Sequence, residues 1–186
     1  MRNSITSSQE SFRKVAEILK DVAIETGIRA YLVGGAVRDF LMGRETLDYD
    51  VVVFGPPHIF AEKLAYKTGG KIQKRSQFQT VQVIGKELVI DIARARKEVY
   101  LRPGALPKVS PTESLYEDLQ RRDFSINAIA FSLLESEPDK IIDPFSGKKD
   151  LENKKLKVLY RGSFRDDPTR AFRGIRYKHR LSLIHI

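Results

Sequence analysis

The sequence contains no cysteine and no long apolar run. Without cysteine, disulfide bonds and thiolate metal sites are excluded, and the composition is typical of a reducing cytosol. No apolar run approaches the ~18 residues that a membrane span requires. The N-terminus, MRNSITSSQESFRK, lacks the apolar centre of a signal peptide. We therefore expect a soluble, cytoplasmic protein that has no membrane partner.

Acidic residues are fewer than basic ones, 24 against 33, which gives a net charge of +9. An excess of this size favours polyanionic partners such as nucleic acid, nucleotides or an anionic membrane surface, and charge alone does not choose among them. The 186 residues suit one domain, or one domain plus the start of another. The three histidines (His58, His179 and His185) are scattered, so we expect no histidine metal site.

Apolar spacing predicts alternating helices and strands in the first half of the chain. These are helix 9–25, strand 29–33, helix 36–42, strand 48–54 and helix 57–69. Residues 78–84 and 88–93 predict a hairpin, and the proline-rich segment 100–112 predicts a loop. Helical spacing returns over 114–134 and again from Pro168 into Arg180.

This order of elements predicts an α+β catalytic domain over residues 1–145, followed by the start of a helical domain over residues 146–186. The final residues, HRLSLIHI, stop inside a helical pattern with no cap and no polar tail. We therefore expect the helical domain to be truncated.

Two aspartates open the strand at 48–54. Because side chains alternate along a strand, Asp48 and Asp50 point to one face, where their charges repel. A divalent cation would relieve that repulsion: Mg²⁺ takes one or two carboxylates plus substrate phosphates. Two such ions about 4 Å apart activate an attacking hydroxyl and stabilise a leaving pyrophosphate. The alternative is an edge strand with a solvated polar face, since D-x-D is a weak motif by itself.

A third aspartate, Asp91, lies between two isoleucines in the second apolar strand, LVIDIAR. A carboxylate in such a strand is costly unless it is paired or coordinated. It would complete a two-metal cluster with Asp48 and Asp50, or it would form a salt bridge to Arg94 or Arg96.

A glycine pair, Gly34–Gly35, follows one strand and precedes a short helix. Such a turn presents backbone N–H groups where phosphate binds well. Arg38, one turn into the helix, would add a charge-assisted contact to a triphosphate. The alternative is a tight turn that needs a positive φ.

Several motifs occur in a fixed order: LVGGAVRD with LxGRxxxDxD, DIARARKEVY at 91–100, RRDFSINAIA at 121–130, DPFSGKKDL at 143–151 and FRDDPTRAFRGIRY at 164–177. Together they resemble the class II tRNA nucleotidyltransferase and bacterial poly(A) polymerase family, within the polymerase-β-like superfamily. The resemblance implies a head domain with a mixed sheet and flanking helices, followed by a helical neck. It also implies Mg²⁺-dependent addition of C or A residues to the 3′ end of tRNA from CTP and ATP.

The resemblance assigns roles to individual residues. Asp48 and Asp50 correspond to the metal ligands, and Asp91 lies where a third catalytic carboxylate is expected. The family's nucleotide-binding residues correspond to Gly35, Arg38, Arg122, Asp167, Arg170, Arg173 and Arg176. We expect Asp123 to hold Arg122 in place.

The neck pair has a physical basis for selecting a base. Asp167 can accept from the exocyclic amino group of cytosine or adenine, while Arg170 donates to the adjacent ring nitrogen. Guanine and uracil present the opposite pattern and would be rejected. Arg173 and Arg176 would lie with Arg170 along one side of the helix and reach the triphosphate or the RNA end; the alternative is a solvated basic helix.

Two other functions remain open at this point. Poly(A) polymerases share these motifs, and a non-catalytic RNA-binding fragment would share the basic charge.

Overall fold

The computed structural model describes residues 2–75, 80–86, 88–134 and 140–183, without the side chains of 2–6 and 74–75. The chain forms two compact units: Met1–Ala95 with Ala130–Ile142, and Arg96–Ile129 with Asp143–Ile186. These units do not coincide with the predicted domains, 1–145 and 146–186. The domain boundary between residues 145 and 146 stays a prediction. No helix in the described part of the chain is long and apolar enough to span a membrane.

The helices and strands follow one another along the chain. In order they are α1 (Arg2–Thr26), β1 (Arg29–Val33), α2 (Gly35–Leu41), β2 (Asp48–Phe54), α3 (Pro57–Thr68), β3 (Lys71–Arg75), β4 (Thr80–Ile84), β5 (Val89–Arg94), β6 (Arg96–Val99), β7 (Lys108–Pro111), α4 (Leu115–Gln120), a 3₁₀ helix (Ser125–Asn127), β8 (Ala130–Ser132), β9 (Ile141–Ile142), α5 (Gly147–Glu152), α6 (Ser163–Asp166) and α7 (Thr169–Leu181).

The first unit is built on a mixed sheet with strand order β3-β4-β5-β2-β1-β8-β9. Strands β2 and β5 pair in parallel, and the other neighbouring strands of this sheet pair antiparallel. Helices α1, α2 and α3 pack against the sheet, and α1 also packs against α2 and α3. This arrangement confirms the predicted α+β fold with a mixed sheet and flanking helices.

An aromatic cluster joins α1 to the sheet. The ring of Phe12 stacks on Phe40 with centroids 4.2 Å apart and meets Phe131 edge-on at 5.3 Å. Phe12 is fully buried, as are Leu19 and Val22 on the same helix. Such aromatic pairs contribute about 0.5–1.5 kcal/mol beyond the area that they bury. The apolar spacing that predicted helix 9–25 is thus the face that covers the core.

Glycine marks the predicted helix ends. Gly43 follows α2 with φ 65° and Gly69 follows α3 with φ 66°, a left-handed conformation that glycine adopts without cost. The predicted hairpin is present as β4 and β5, although Phe78 and Glu87, which the prediction included, lie outside the described residues.

The second unit differs from the sequence prediction in two places. The segment predicted as a loop, 100–112, contains β7, which pairs antiparallel with β6. The helix predicted over 114–134 ends at Gln120, and the chain continues through the 3₁₀ helix into β8. The carboxylate of Asp123 accepts the N–H of Phe124 at 2.8 Å and the side-chain amide of Asn127 at 3.0 Å, which stabilises the turn into the 3₁₀ helix in place of an α-helix. The helix predicted beyond Gln120 was wrong because its apolar residues are buried at helical spacing without forming an α-helix. Periodicity alone does not distinguish a helix from a fully buried irregular segment.

Helix α7 confirms the helix predicted from Pro168. It ends at Leu181, and Ser182 takes a left-handed conformation with φ 54°. The N–H of Leu183 bonds the carbonyl of Lys178 at 3.0 Å. The helix therefore has a C-cap, and the expectation of an uncapped end was wrong.

Candidate functional site

A row of polar side chains crosses the sheet of the first unit. Asp48 and Asp50 are both exposed on one face of β2. Tyr49 and Val51 are buried on the opposite face of the same strand. The parallel register places Asp50 beside Asp91 of β5. Neighbouring strands lie about 4.8 Å apart, so these side chains are adjacent. The structure thus brings the three predicted carboxylates to one face of the sheet.

The partner of Asp91 is a residue that the sequence analysis did not consider. The side-chain amide of Gln82 on β4 donates to Oδ1 of Asp91 at 2.9 Å. In the described ranges Asp91 has no ion pair, so the predicted alternative of a salt bridge to Arg94 is not observed; Arg96 pairs with Glu98 at 3.4 Å. The sequence signal was the glutamine inside the apolar strand TVQVI.

These carboxylates suit an open cation site and not a closed cage. Within the described ranges, no three histidine, cysteine, aspartate or glutamate side chains come together closely enough to enclose a metal ion. Mg²⁺ rarely needs such a cage, since one or two carboxylates with waters and substrate phosphates complete its shell. The oxygen donors of the exposed Asp48 and Asp50 fit that chemistry.

The glycine turn and Arg38 form one packed feature. Gly34 has φ 71°, which requires glycine, and Gly35 opens α2. Arg38 is buried, and its Nε and Nη2 donate to the carboxylate of Asp39 at 2.9 and 3.0 Å. A Cβ at Gly35 would lie 3.5 Å from Nη2 of Arg38, so the guanidinium lies directly against this glycine. The prediction missed Asp39, which balances the charge of Arg38.

In the second unit, Arg170 is enclosed by acceptors. It is 3% exposed, and its guanidinium donates to Oγ of Ser163 at 2.7 Å and to the carbonyl of Arg121 at 2.9 Å. Longer contacts reach the hydroxyls of Tyr100 at 3.4 Å and Tyr160 at 3.5 Å. Four of the five N–H groups of this arginine therefore face an acceptor within the unit.

The remaining donor of Arg170, Nε, lies 3.5 Å from Oδ2 of Asp167. Oδ1 of Asp167 accepts the backbone N–H of Thr169 at 3.0 Å and its hydroxyl at 2.5 Å. Asp167 thus lies at the start of α7 and stays partly exposed. The two residues predicted to read the base are side by side.

A cavity of about 400 Å³ lies in the second unit. Its lining includes Glu98, Tyr100, Gln120, Arg121, Tyr160 and Asp166. The hydroxyl of Tyr160 donates to Oδ2 of Asp166 at 2.9 Å. Burial, together with this bond, raises the pKa of Tyr160 to about 12, so the hydroxyl keeps its proton at neutral pH. The volume falls in the range of small-molecule sites.

The arginine pair of RRDFS is anchored by Asp118. Asp118 is fully buried, and its oxygens lie 2.8 Å from Nη2 of Arg121 and 3.2 Å from Nη2 of Arg122. Burial alone would raise the pKa of Asp118, but the guanidinium groups and hydrogen bonds lower it. The expectation that Asp123 holds Arg122 was wrong, because Asp123 pairs with Arg173 at 2.7 Å.

The three arginines of α7 occupy different environments. Arg170 is buried, Arg173 is half-exposed and paired, and Arg176 is exposed. Each step of three residues turns about 60° short of a full circle on an α-helix. The arginines therefore drift around the helix instead of sharing one side.

Residues 30–157 match the family model described as the Poly A polymerase head domain. The chain belongs to this family. The predicted family resemblance is thereby confirmed, and the fold of the first unit agrees with it.

Members of this family resemble the chain closely. An A-adding tRNA nucleotidyltransferase of Halalkalibacterium halodurans is 41% identical over 165 residues, which cover 88% of this chain and 38% of that protein. A structure of a CCA-adding enzyme in apo form II superposes with a TM-score of 0.83 and 38% identity, covering 93% of this chain and 41% of that chain.

A tRNA nucleotidyltransferase complexed with a primer tRNA and an incoming ATP analog has a TM-score of 0.76 and 38% identity, and the match covers 90% of this chain and 46% of that chain. The chain therefore spans less than half the length of each relative that it matches here. Enzymes of this family generally use divalent metal ions.

Proposed function

We propose that this chain carries the catalytic and nucleotide-selecting parts of a cytoplasmic tRNA nucleotidyltransferase. It adds C residues, A residues or both to the 3′ end of tRNA from CTP and ATP, without a template, and releases pyrophosphate. The observation that carries the proposal is the strand register, which aligns Asp91 with Asp50, two residues along β2 from Asp48. These carboxylates lie on the sheet of a head domain of this family. The relative that is complexed with a primer tRNA and an incoming ATP analog supports the choice of substrates.

The reaction is an in-line attack of the terminal 3′-hydroxyl on the α-phosphate of the nucleotide, in which positioning and charge stabilisation do most of the work. Mg²⁺, when bound, would lower the pKa of the attacking hydroxyl and stabilise the leaving pyrophosphate. Asp48 and Asp50 would hold it, with Asp91 as the third carboxylate. Gly35 and Arg38 would contact the nucleotide phosphates.

In the second unit, Asp167 accepts from the exocyclic amino group of cytosine or adenine. Arg170 donates to the ring nitrogen, and its longer contacts, to the tyrosine hydroxyls, are the ones that exchange for it. Arg122, Arg173 and Arg176 contribute positive charge toward phosphates of the nucleotide or the RNA end.

Poly(A) polymerase is the second candidate, because the matching family model carries that description. The chemistry and the site residues would be the same, and the RNA substrate would differ. The basic charge of +9 suits either RNA.

The test compares RNA substrates. Transcripts of tRNA that end before CCA or after CC, and an unrelated RNA, are incubated with labelled CTP or ATP and Mg²⁺. The assay is run on this chain and on a chimera in which it replaces the matching segment of the Halalkalibacterium halodurans enzyme. We expect one to three residues on the tRNA transcripts; long adenylate tails on the unrelated RNA would favour the second candidate.

A double variant tests the site. Asp48→Ala/Asp50→Ala should reduce incorporation to background, whereas Glu10→Ala/Glu17→Ala, which removes two exposed carboxylates from α1, should not. Undiminished activity of the Asp48/Asp50 variant would refute the metal site. No incorporation by either wild-type form would refute the enzymatic proposal and favour an RNA-binding fragment.

A further inference from the structure

Gln82 is a buried polar side chain in the middle of an apolar strand. It is 5% exposed, and its neighbours Val81 and Val83 in β4 are 6% and 1% exposed. Burying an amide is costly unless it forms hydrogen bonds. Its side-chain nitrogen donates to Oδ1 of Asp91 at 2.9 Å. This bond with the carboxylate offsets part of the cost of burying the amide.

The strand register places this contact at one side of the carboxylate row. Asp91 on β5 aligns with Asp50 on β2 and, on its other side, with Gln82 on β4. Gln82 in turn aligns with Gln73 on β3, which is exposed. Gln82 therefore borders Asp91 on the side away from Asp50, where no further carboxylate follows in the register.

We infer that Gln82 is a positioning residue for Asp91 in the cation site, an inference that rests on the function proposed above. The amide holds Oδ1 and so fixes the plane of the carboxylate, and Oδ2 remains as the oxygen for a cation. Groups that orient metal ligands in this way typically change metal affinity or activity by 10–100-fold when they are removed.

An uncharged donor suits this position for an electrostatic reason. Lysine or arginine would also hold the carboxylate, but each would place a positive charge within a few ångströms of the cation and repel it. Glutamine supplies the hydrogen bond without that charge.

The test uses Mn²⁺ as a paramagnetic probe, with binding to this chain measured by electron paramagnetic resonance, alone and with a non-hydrolysable ATP analogue. Gln82→Met keeps the length of the side chain and removes the donor, and Gln82→Asn keeps the amide but shortens its reach. Both should weaken Mn²⁺ binding by about tenfold. Gln73→Met, the matched control one strand further, should bind as the wild type does.

A double-mutant cycle separates positioning from a general effect on the fold. If Gln82 acts through Asp91, Gln82→Met should have no further effect on Mn²⁺ affinity in the Asp91→Asn background. Urea unfolding in metal-free buffer checks that each variant is folded. Additive effects of the two substitutions on Mn²⁺ affinity, or equal affinity of Gln82→Met and wild type, would overturn this inference and leave the proposed cation site standing. Absence of Mn²⁺ binding by the wild type in both conditions would overturn the proposed cation site, and this inference with it.

Discussion

Replacing Arg170 by lysine tests whether this arginine holds the second unit together. The guanidinium makes two short bonds, to Ser163 at 2.7 Å and to the carbonyl of Arg121 at 2.9 Å, and three contacts at 3.4–3.5 Å. Lysine keeps the charge, but its single ammonium group cannot span acceptors arranged around a planar fork.

The magnitude follows from the two short bonds. A hydrogen bond from a charged group contributes about 1.5–3 kcal/mol, and an acceptor left buried without a partner adds to the loss. Lysine would retain one short bond at best, so we expect the free energy of unfolding to fall by about 2–4 kcal/mol. For a chain of this size that corresponds to a fall of roughly 5–15 °C in the thermal midpoint.

The assay is urea unfolding followed by far-UV circular dichroism, with Arg176→Lys as the control. Arg176 is exposed on the same helix, and a surface exchange of this kind changes stability by about 0.5 kcal/mol or less. A loss below about 1 kcal/mol for Arg170→Lys would refute the structural role. A large loss means that activity changes in Arg170 variants include unfolding, so base reading is better tested at Asp167.

Asp167→Ala should therefore raise incorporation of G and U relative to C and A in single-nucleotide assays, and an unchanged ratio would refute its reading role. The lowered pKa of Asp118 gives stability that is present above its unfolded pKa of about 3.9 and is lost as pH falls through the folded value. Asp118→Asn should thus lower the urea midpoint at pH 7, and the gap to wild type should narrow progressively as the pH falls below about 4; a constant gap would contradict this. Gly147→Ala would place a Cβ in a clash with the backbone oxygen of Ser125 and should cost about 1–3 kcal/mol, which differential scanning fluorimetry would detect as a lower thermal midpoint. Gly162→Ala, whose nearest atom is 3.5 Å away, is its control, and equal midpoints would exclude the clash.

Local features of the fold were predictable because glycine acts on its own backbone. Gly43 and Gly69 end helices through a positive φ, which is a requirement of one residue and its neighbours. The alternation around Asp48 and Asp50 was predictable for the same reason, since period two is a property of a single strand.

Pairing between distant segments was not predictable. Strand β7 lies in a proline-rich segment, and its partner β6 is what defines it. The contact between Gln82 and Asp91 depends on the β4–β5 register. The apolar pattern predicts a hairpin here, but it does not fix which residues face each other.

The partners of the arginines divide in the same way. Asp118 and Arg122 are four residues apart, the spacing at which side chains meet on a helix, so this pair was within reach of sequence reasoning. The pair between Asp123 and Arg173 joins residues fifty positions apart, and nothing in the local pattern indicates it.

The order in which the strands of the first unit leave the ribosome has a consequence for folding. Strand β1 is flanked by β2, which follows after the fourteen residues 34–47, and by β8, which is synthesised about a hundred residues later. Until β8 arrives, the apolar strand RAYLV has an unpaired edge, and such edges recruit other chains. The segment Arg96–Ile129 must be made during this interval, so slow translation there would lengthen the exposure. A protein cut after Ala95 would keep that edge permanently and should aggregate, although it contains every proposed cation ligand.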